Sequence, residues 1–286
     1  MRNPMQLKAK LRNISKETGI SAQLVLQNYM LERLLERISL SEYKENFILK
    51  GGFLIASIVG LNTRATMDMD ITLKDLPLNE QLLLDMFDKI CEVDVDDPFD
   101  FEITKVNEIR EGDTYTGYRV SLIGKYPPMA VPIKLDITTG DKITPKEISF
   151  SYEMLFDEGS LEILAYNIET ILAEKFETII SRSDQNTRPR DFYDVYILSK
   201  LKWNYIDFKV LSEALETTSS YRGTQHVMQD YLAAIDVIRN SKNMKEYWLK
   251  YQKDFDYSIG LEFEEVLDSV LKVLGETLQL QSDTFM

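Results

Sequence analysis

The stretch "ILKGGFLIASIVGLNTRATMDMDIT", residues 48–72, contains the most informative pattern in the chain. It begins with the pair Gly51 and Gly52, continues as an apolar run, and ends in a segment where Asp68 and Asp70 alternate with apolar residues. Glycine tolerates the backbone angles of a tight turn, and alternation with period two is typical of a strand. We therefore predict a turn, a buried helix and a half-buried strand that carries both aspartates.

The two aspartates predict a metal site. Side chains two residues apart in a strand point to the same face, so the carboxylates of Asp68 and Asp70 should lie side by side. Adjacent carboxylates repel each other, and a bound divalent cation offsets that repulsion. Mg²⁺, or Mn²⁺ in its place, prefers oxygen ligands and commonly combines one or two carboxylates with phosphate oxygens and water. An exposed strand face or a turn-capping pair is the alternative for the same residues.

A second stretch, "VPIKLDITTG" at residues 131–140, offers a third carboxylate. Asp136 alternates there with apolar residues, as the two aspartates of the first stretch do. On this strand pattern alone we predict that Asp136 is a further metal ligand, or that it serves as a general base.

The glycine pair predicts a phosphate site. Gly51 and Gly52 lead into a helix, so phosphate oxygens can approach backbone N–H groups closely and meet the positive end of the helix dipole. One buried helix and a return strand separate the pair from Asp68. Phosphate and metal can therefore meet at one edge of a sheet.

Composition excludes several classes of protein. The chain has 286 residues, 44% of them hydrophobic, which is enough for a substantial core. No apolar run approaches the roughly 18 to 20 residues of a membrane-spanning helix, and the amino-terminal residues lack a secretory apolar segment. Cys91 is the single cysteine, so no internal disulfide can form. We expect a cytoplasmic protein that does not span a membrane.

Net charge restricts the nucleic-acid partners. It is −14, with a pI near 4.7, so the field of the whole protein repels RNA and DNA. Any such partner must meet a local basic surface. The candidate clusters are Lys8, Lys10 and Arg12 in the first segment, and Arg182, Arg188 and Arg190 around Pro189. Ordinary solvated helix faces are the alternative, particularly for the first cluster.

Periodicity predicts an α+β fold. Residues 5–38 show the helical period twice and indicate a helical hairpin, whose second helix is capped by Ser21. A helix capped by Asn79 follows the aspartate strand. Strand-like runs occupy residues 101–109, 115–124 and 131–139, with a weaker one at 147–153.

The helical period returns from about Ala165 and persists to the end of the chain. We therefore predict two domains. Residues 1–155 form an α/β domain with a small mixed sheet flanked by helices, and residues 156–286 form a helical bundle that contributes Lys175 and Asp191 to the cleft.

Those two polar residues interrupt helical patterns. Lys175 breaks an apolar helical stripe, and its ammonium can neutralise a transferring phosphate. Asp191 follows Pro189 in the first turn of a predicted helix, where the helix dipole favours a carboxylate. The alternatives are that Lys175 extends into solvent and that Asp191 only stabilises the helix terminus.

Four motifs follow one another between residues 29 and 198. They are "YMLERLLERIS" with "FILKGG", then "RATMDMDI", "LAEKFETI" and "RPRDFYDVYIL". In this order and spacing they resemble the nucleotidyltransferase superfamily, which has the DNA polymerase β-like fold. Within it, the chain resembles the AbiEii/AbiGii family, the toxin half of bacterial abortive-infection toxin–antitoxin pairs. The set of four is much more specific than the Asp-x-Asp pattern alone.

The resemblance implies a role for each motif. The implied roles are metal binding and catalysis for Asp68 and Asp70, a triphosphate cradle for Gly51 and Gly52, contact with phosphate or base for Lys175, the fourth-motif aspartate for Asp191, and a place beside it in the nucleotide site for Asp194. It does not imply a role for Asp136. Many superfamily members have Gly-Ser where this chain has Gly-Gly, so a hydroxyl that could contact phosphate is missing.

The implied activity is that of a Mg²⁺-dependent nucleotidyltransferase toxin. By resemblance, the nucleotide is GTP or another nucleoside triphosphate (NTP), and the acceptor is RNA such as a tRNA end. The resemblance also implies a cognate antitoxin that acts without a necessarily stable complex. Two other classes stay open. One is a metal-dependent nuclease, and the other is a non-catalytic, nucleotide-sensing module that binds a protein partner. The glycine pair argues against the nuclease, because a nuclease has no triphosphate to hold.

Overall fold

A computed structural model describes residues 3–109 and 117–284. The chain divides into two compact units. The first is Met1–Asp141 with Ile148–Ala165, and the second is Lys142–Glu147 with Tyr166–Met286. Among the described residues, no helix is both long enough and apolar enough to cross a membrane.

The first unit combines helices with a sheet. Its elements in chain order are α1 (Pro4–Thr18), α2 (Ala22–Leu40), β1 (Phe47–Lys50), α3 (Gly51–Val59), β2 (Asp68–Leu73), α4 (Glu80–Cys91), β3 (Asp100–Ile109), β4 (Gly117–Tyr126), β5 (Met129–Thr139), β6 (Ile148–Glu153) and β7 (Ser160–Ala165). The predicted α+β class is therefore confirmed. The first two residues of the predicted strand 115–124 lie outside the described residues.

The second unit is helical. Its helices are α5 (Ile168–Arg182), α6 (Pro189–Lys202), α7 (Phe208–Arg222), α8 (Gln225–Gln229), α9 (Tyr231–Asn240), α10 (Lys242–Asp254) and α11 (Phe263–Thr284). Apolar side chains of α6 and α11 are buried, among them Phe192 and Leu198 on α6 and Val270 and Leu274 on α11. Apolar burial of this kind supplies most of the stabilisation of such a bundle.

The seven strands of the described residues form one mixed sheet in the order β3-β4-β5-β2-β1-β7-β6. Strand β2 runs parallel to β5, and β1 runs parallel to β7. The other neighbouring pairs are antiparallel. The aspartate strand β2 and the short strand β1, which leads into the glycine pair, are therefore central neighbours.

The sheet buries one face under helices in the region of β3, β4 and β5. Helix α2 packs against β5, and α4 packs against β3. On β5 the buried residues Ile133 and Leu135 alternate with the exposed Lys134 and the half-buried Asp136. This alternation is the one that period-two patterning predicted for residues 131–139.

Helix starts follow the predicted caps. The Oγ of Ser21 accepts a hydrogen bond from the Leu24 backbone N–H at 3.2 Å, and Oδ1 of Asn79 accepts one from the Leu82 N–H at 2.9 Å. Each bond satisfies a backbone donor that has no partner inside the helix. Helix α3 begins at Gly51 without a side-chain cap.

Strand β7 was not predicted, and residues 156–286 are therefore not all helical. Its residues Leu161, Ile163 and Ala165 are buried and alternate with Glu162, which is exposed. The strand is six residues long and rich in Glu, Leu and Ala, which favour helices. Pairing with β1 and β6 overrides that local preference.

Candidate active site

The sheet places three carboxylates on one face. Asp68 and Asp70 are two residues apart on β2, with Met69 fully buried on the opposite face. The parallel register pairs Asp70 with Asp136 of β5, so their side chains lie on the same face at adjacent positions. Burial raises the pKa of Asp68, and the negative charge of Asp136 raises it further. The crowding that we expected from the sequence is thus present.

Arg119 of β4 binds the carboxylate of Asp136 with two hydrogen bonds. Its Nε donates to Oδ1 at 2.7 Å, and its Nη2 donates to Oδ2 at 2.7 Å. These bonds raise the pKa of Arg119, and the negative charges of Asp68 and Asp70 act in the same direction. A bidentate pair of this kind fixes the orientation of the carboxylate.

The turn at the glycine pair lies directly against the first carboxylate strand. Gly51 has a φ of +67°, and a Cβ built on it would lie 2.0 Å from Oδ2 of Asp70. Gly52 lies outside the left-handed region, and its Cβ would lie 3.1 Å from both Nη2 of Arg64 and Oγ1 of Thr66. Position 51 therefore requires glycine twice, for its backbone angle and for the space that Asp70 occupies.

A buried ion pair joins the strands beside this turn. The Nζ of Lys50 donates to Oδ2 of Asp141 at 2.5 Å and to Oγ1 of Thr138 at 2.6 Å. The hydroxyls of Thr72 and Thr138 also donate to Oδ2 of Asp141, at 2.6 and 2.7 Å. Burial alone would raise the pKa of Asp141, but Lys50 and the two hydroxyls outweigh it and lower that pKa to about 2.

The carboxylates of β2 suit a hard divalent cation. Asp68 and Asp70 present oxygen ligands on one face, and their mutual repulsion is the cost that a cation would remove. Among the described residues, no group of three or more His, Cys, Asp or Glu side chains is close enough to hold a metal ion by itself. Two protein carboxylates completed by substrate phosphate and water form an ordinary Mg²⁺ site. Asp68 and Asp70 are therefore suitable ligands for Mg²⁺.

In the second unit, Lys175 of α5 is held by two aspartates of α6. Its Nζ lies 2.7 Å from Oδ1 of Asp191 and 2.8 Å from Oδ2 of Asp194. Arg188 approaches Asp191 from the other side, with Nε 3.2 Å from Oδ2. Burial lowers the pKa of Lys175, but the two carboxylates raise it by more. The lysine is therefore charged and does not extend into solvent.

A family model matches most of this chain. The model describes the nucleotidyl transferase AbiEii toxin of type IV toxin–antitoxin systems, and it matches residues 33–269. The chain belongs to this family. The matched range contains both β2 carboxylates, the glycine pair and the cluster around Lys175.

Solved structures agree with the AbiEii assignment at the level of the fold. A crystal structure of a candidate nucleotidyltransferase from Helicobacter pylori is 15% identical and has a TM-score of 0.51, covering 92% of this chain and 98% of that one. The crystal structure of JHP933 from Helicobacter pylori is 16% identical with a TM-score of 0.51, covering 93% and 97%. No curated protein matches the chain significantly.

Sequence reasoning missed three charged residues of this AbiEii family member. Lys50 lies in the quoted motif "FILKGG", and Arg119 lies in the predicted strand 115–124, but neither received a role. A basic residue inside an otherwise apolar strand is the signal that could have identified both, since such a residue needs a buried or cross-strand partner. Asp141 follows β5 and carries no comparable signal, because its role depends on which strands lie beside it.

Proposed function

We propose that this AbiEii family member is a metal-dependent nucleotidyltransferase that takes an NTP and transfers a nucleotidyl group to an RNA acceptor. The observation that carries the proposal is the contact between Gly51 and Asp70, which brings the start of α3 and the carboxylate strand together. A triphosphate that reached the backbone N–H groups at this turn would also reach the carboxylates. A hydrolytic nuclease has no use for such a turn.

We assign separate roles to the residues of the first unit. Asp68 and Asp70 hold Mg²⁺ or Mn²⁺, and Gly51 and Gly52 cradle the triphosphate. When bound, the cation supplies charge stabilisation to phosphate oxygens as the acceptor oxygen attacks and pyrophosphate leaves. Asp136 lies beside Asp70, and we assign to it the role of general base for the acceptor hydroxyl. It is not a third metal ligand, because no three carboxylates among the described residues lie close enough together to hold one ion.

The second-unit cluster holds one lysine between two aspartates. Lys175 is cationic and is oriented by Asp191 and Asp194. We assign to it contact with a phosphate or base of the nucleotide, and to the aspartates the orientation of that lysine, with Asp191 as the alternative general base. The family resemblance favours GTP as the nucleotide and a tRNA end as the acceptor. It also favours a cognate antitoxin that acts without a stable complex.

Incorporation of labelled nucleotide tests the proposal. Purified protein is incubated with total RNA, Mg²⁺ and each labelled NTP in turn, and the labelled RNA is identified by size. We expect the wild type to lengthen a subset of RNA, and Asp70→Asn to reduce incorporation by at least about 100-fold, since one metal ligand is lost. Asp88→Asn, the same change on the exposed face of α4, is the matched control and should keep full activity.

Two results would contradict the proposal. One is undiminished, metal-dependent incorporation by Asp70→Asn. The other is shortening of RNA with Mg²⁺ and without any NTP, because that reaction is the one expected of the nuclease.

A further inference from the structure

One face of strands β3, β4 and β5 carries polar side chains that are exposed or half-buried. We define the open face by its residues Lys105, Asn107, Arg119, Ser121 and Lys134. The cross-strand register pairs Lys105 with Ser121 and Ser121 with Lys134, and it pairs Asn107 with Arg119. Paired residues point to the same side of a sheet, so all five share one face.

The open face continues into the carboxylates as two parallel rows. The first row is Lys105, Ser121, Lys134 and Asp68, and the second is Asn107, Arg119, Asp136 and Asp70. Neighbouring strands lie about 4.8 Å apart, so each row extends roughly 14 Å from β3 to β2. Basic or neutral donors occupy one end of each row, and a carboxylate of the proposed metal site occupies the other.

The two lysines of the open face are exposed. Within residues 3–109 and 117–284, neither Lys105 nor Lys134 has a carboxylate within ion-pair distance, although Lys134 acts electrostatically on Asp68. Lys125, further along the same sheet face, contrasts with them because it pairs with Glu102. On a chain of net charge −14, exposed lysines with no such partner form a local site for an anion.

The order of the strands separates this face from the triphosphate site. Strand β2 lies between β5 on one side and β1 on the other, and β1 leads into Gly51. The glycine turn and the open face therefore flank the carboxylates from opposite sides. A nucleotide at the turn and a second anion on the open face could approach Asp68 and Asp70 at the same time.

We propose that the open face binds the phosphodiester backbone of the acceptor RNA and directs the end of that strand toward Asp68 and Asp70. This inference rests on the proposed function, because only a transferase needs an acceptor hydroxyl at that position. Lys105 and Lys134 neutralise successive phosphates, while Ser121 and Asn107 donate hydrogen bonds to phosphate or 2′-hydroxyl oxygens. The carboxylates at the end of each row repel the backbone, so Lys105 and Lys134 hold the phosphates and only the terminal hydroxyl of the strand reaches Asp68 and Asp70.

RNA binding by the full-length chain tests the inference without any chemistry. Fluorescence anisotropy of a labelled single-stranded RNA is measured in Mg²⁺ without NTP, at several salt concentrations. We expect the double variant Lys105→Gln, Lys134→Gln to bind on the order of tenfold more weakly at low salt, with the slope of log affinity against log salt reduced by about 1.4.

The matched control is Lys8→Gln with Arg12→Gln, which removes the same charge from exposed positions of α1. It also tests one of the two basic clusters that the sequence predicted as RNA-binding candidates. The inference is overturned if the control loses the affinity and the open-face variant keeps it, if the wild type does not bind RNA, or if polyglutamate competes as well as RNA does. If the wild type transfers nucleotide to RNA but the open-face variant binds RNA as tightly as the wild type does, the inference is overturned and the proposed function stands. If the open-face variant loses RNA affinity as expected but the wild type transfers no nucleotide, the RNA-binding surface is supported and the proposed function is overturned.

Discussion

A side chain at position 51 would meet the carboxylate of Asp70. The left-handed backbone at Gly51 costs an ordinary residue about 1 kcal/mol, but the contact with Asp70 is the larger effect because a Cβ would overlap Oδ2. The carboxylate has to move, and with it one side of the proposed metal site. Gly19 separates the two effects, since it has a φ of +75° and nothing within 4 Å of its Cβ position.

We therefore expect Gly51→Ala to reduce nucleotide incorporation by at least about 100-fold, while Gly19→Ala lowers the free energy of unfolding by roughly 1 kcal/mol and keeps full activity. Urea unfolding gives the stability of each variant, and incorporation of labelled NTP gives the activity. Full activity of Gly51→Ala would show that the position of the Asp70 carboxylate does not matter.

At the scale of elements, Lys50 and Asp141 tie together the strands that build the site. Lys50 ends β1, Thr72 belongs to β2, Thr138 belongs to β5, and all three donate to Asp141. The register of β1 against β2 places Lys50 opposite Asp70. This cluster therefore fixes the end of β1, from which the glycine turn begins.

The pKa of Asp141 predicts how the cluster contributes to stability at different pH. The pKa in the folded protein, about 2, lies below the ordinary value of 3.8, so folding favours the ionised form. The stabilisation is complete above about pH 4 and is lost as pH falls toward 2. At pH 7 we expect Asp141→Asn to lower the free energy of unfolding by roughly 2 to 3 kcal/mol.

Urea unfolding of the wild type and of Asp141→Asn across pH 2 to 7 measures this difference. The two stabilities should converge below pH 4, because a protonated Asp141 has lost the charge that Lys50 recognises. Asp88→Asn, on the exposed face of α4, should show no such convergence. A difference that persists unchanged at pH 2 would mean that the charge of Asp141 is not what stabilises the cluster.

At the scale of the whole molecule, the carboxylates of the proposed site lower the free energy of unfolding of the metal-free protein. Burial and the charge of Asp136 raise the pKa of Asp68, so the ionised form destabilises the metal-free protein at neutral pH. Ligands that bind only the folded chain raise its free energy of unfolding. Mg²⁺ with NTP at about 100 times its Kd should add roughly 2.7 kcal/mol to the free energy of unfolding.

Asp68→Asn should therefore behave oppositely with and without ligand. We expect its Tm in EDTA to equal or exceed that of the wild type, because one of the crowded charges is gone. Its gain in Tm on adding Mg²⁺ and NTP should disappear. Thermal unfolding in the presence of EDTA, Mg²⁺ alone, and Mg²⁺ with NTP measures both effects, and an undiminished gain in the variant would remove Asp68 from the metal site.

Local sequence patterns were enough to predict the elements that depend on residues close together in the chain. The strand that carries Asp68 and Asp70 follows from period-two alternation, and the turn at Gly51 follows from the freedom of glycine. The caps at Ser21 and Asn79 follow from short polar side chains before helical runs. Each of these features depends on residues that lie close together in the chain.

Features that depend on neighbouring strands could be identified only in the folded sheet. The register of β5 on β2 placed Asp136 beside Asp70, and the register of β4 on β5 supplied Arg119 as its partner. A bulge at Thr104 in β3 shifts the alternation by one residue, which turns Lys105 to the open face. The sequence of β3 cannot show such a shift. A bulge is defined by the pairing with β4, in which Thr104 is the residue left without a partner.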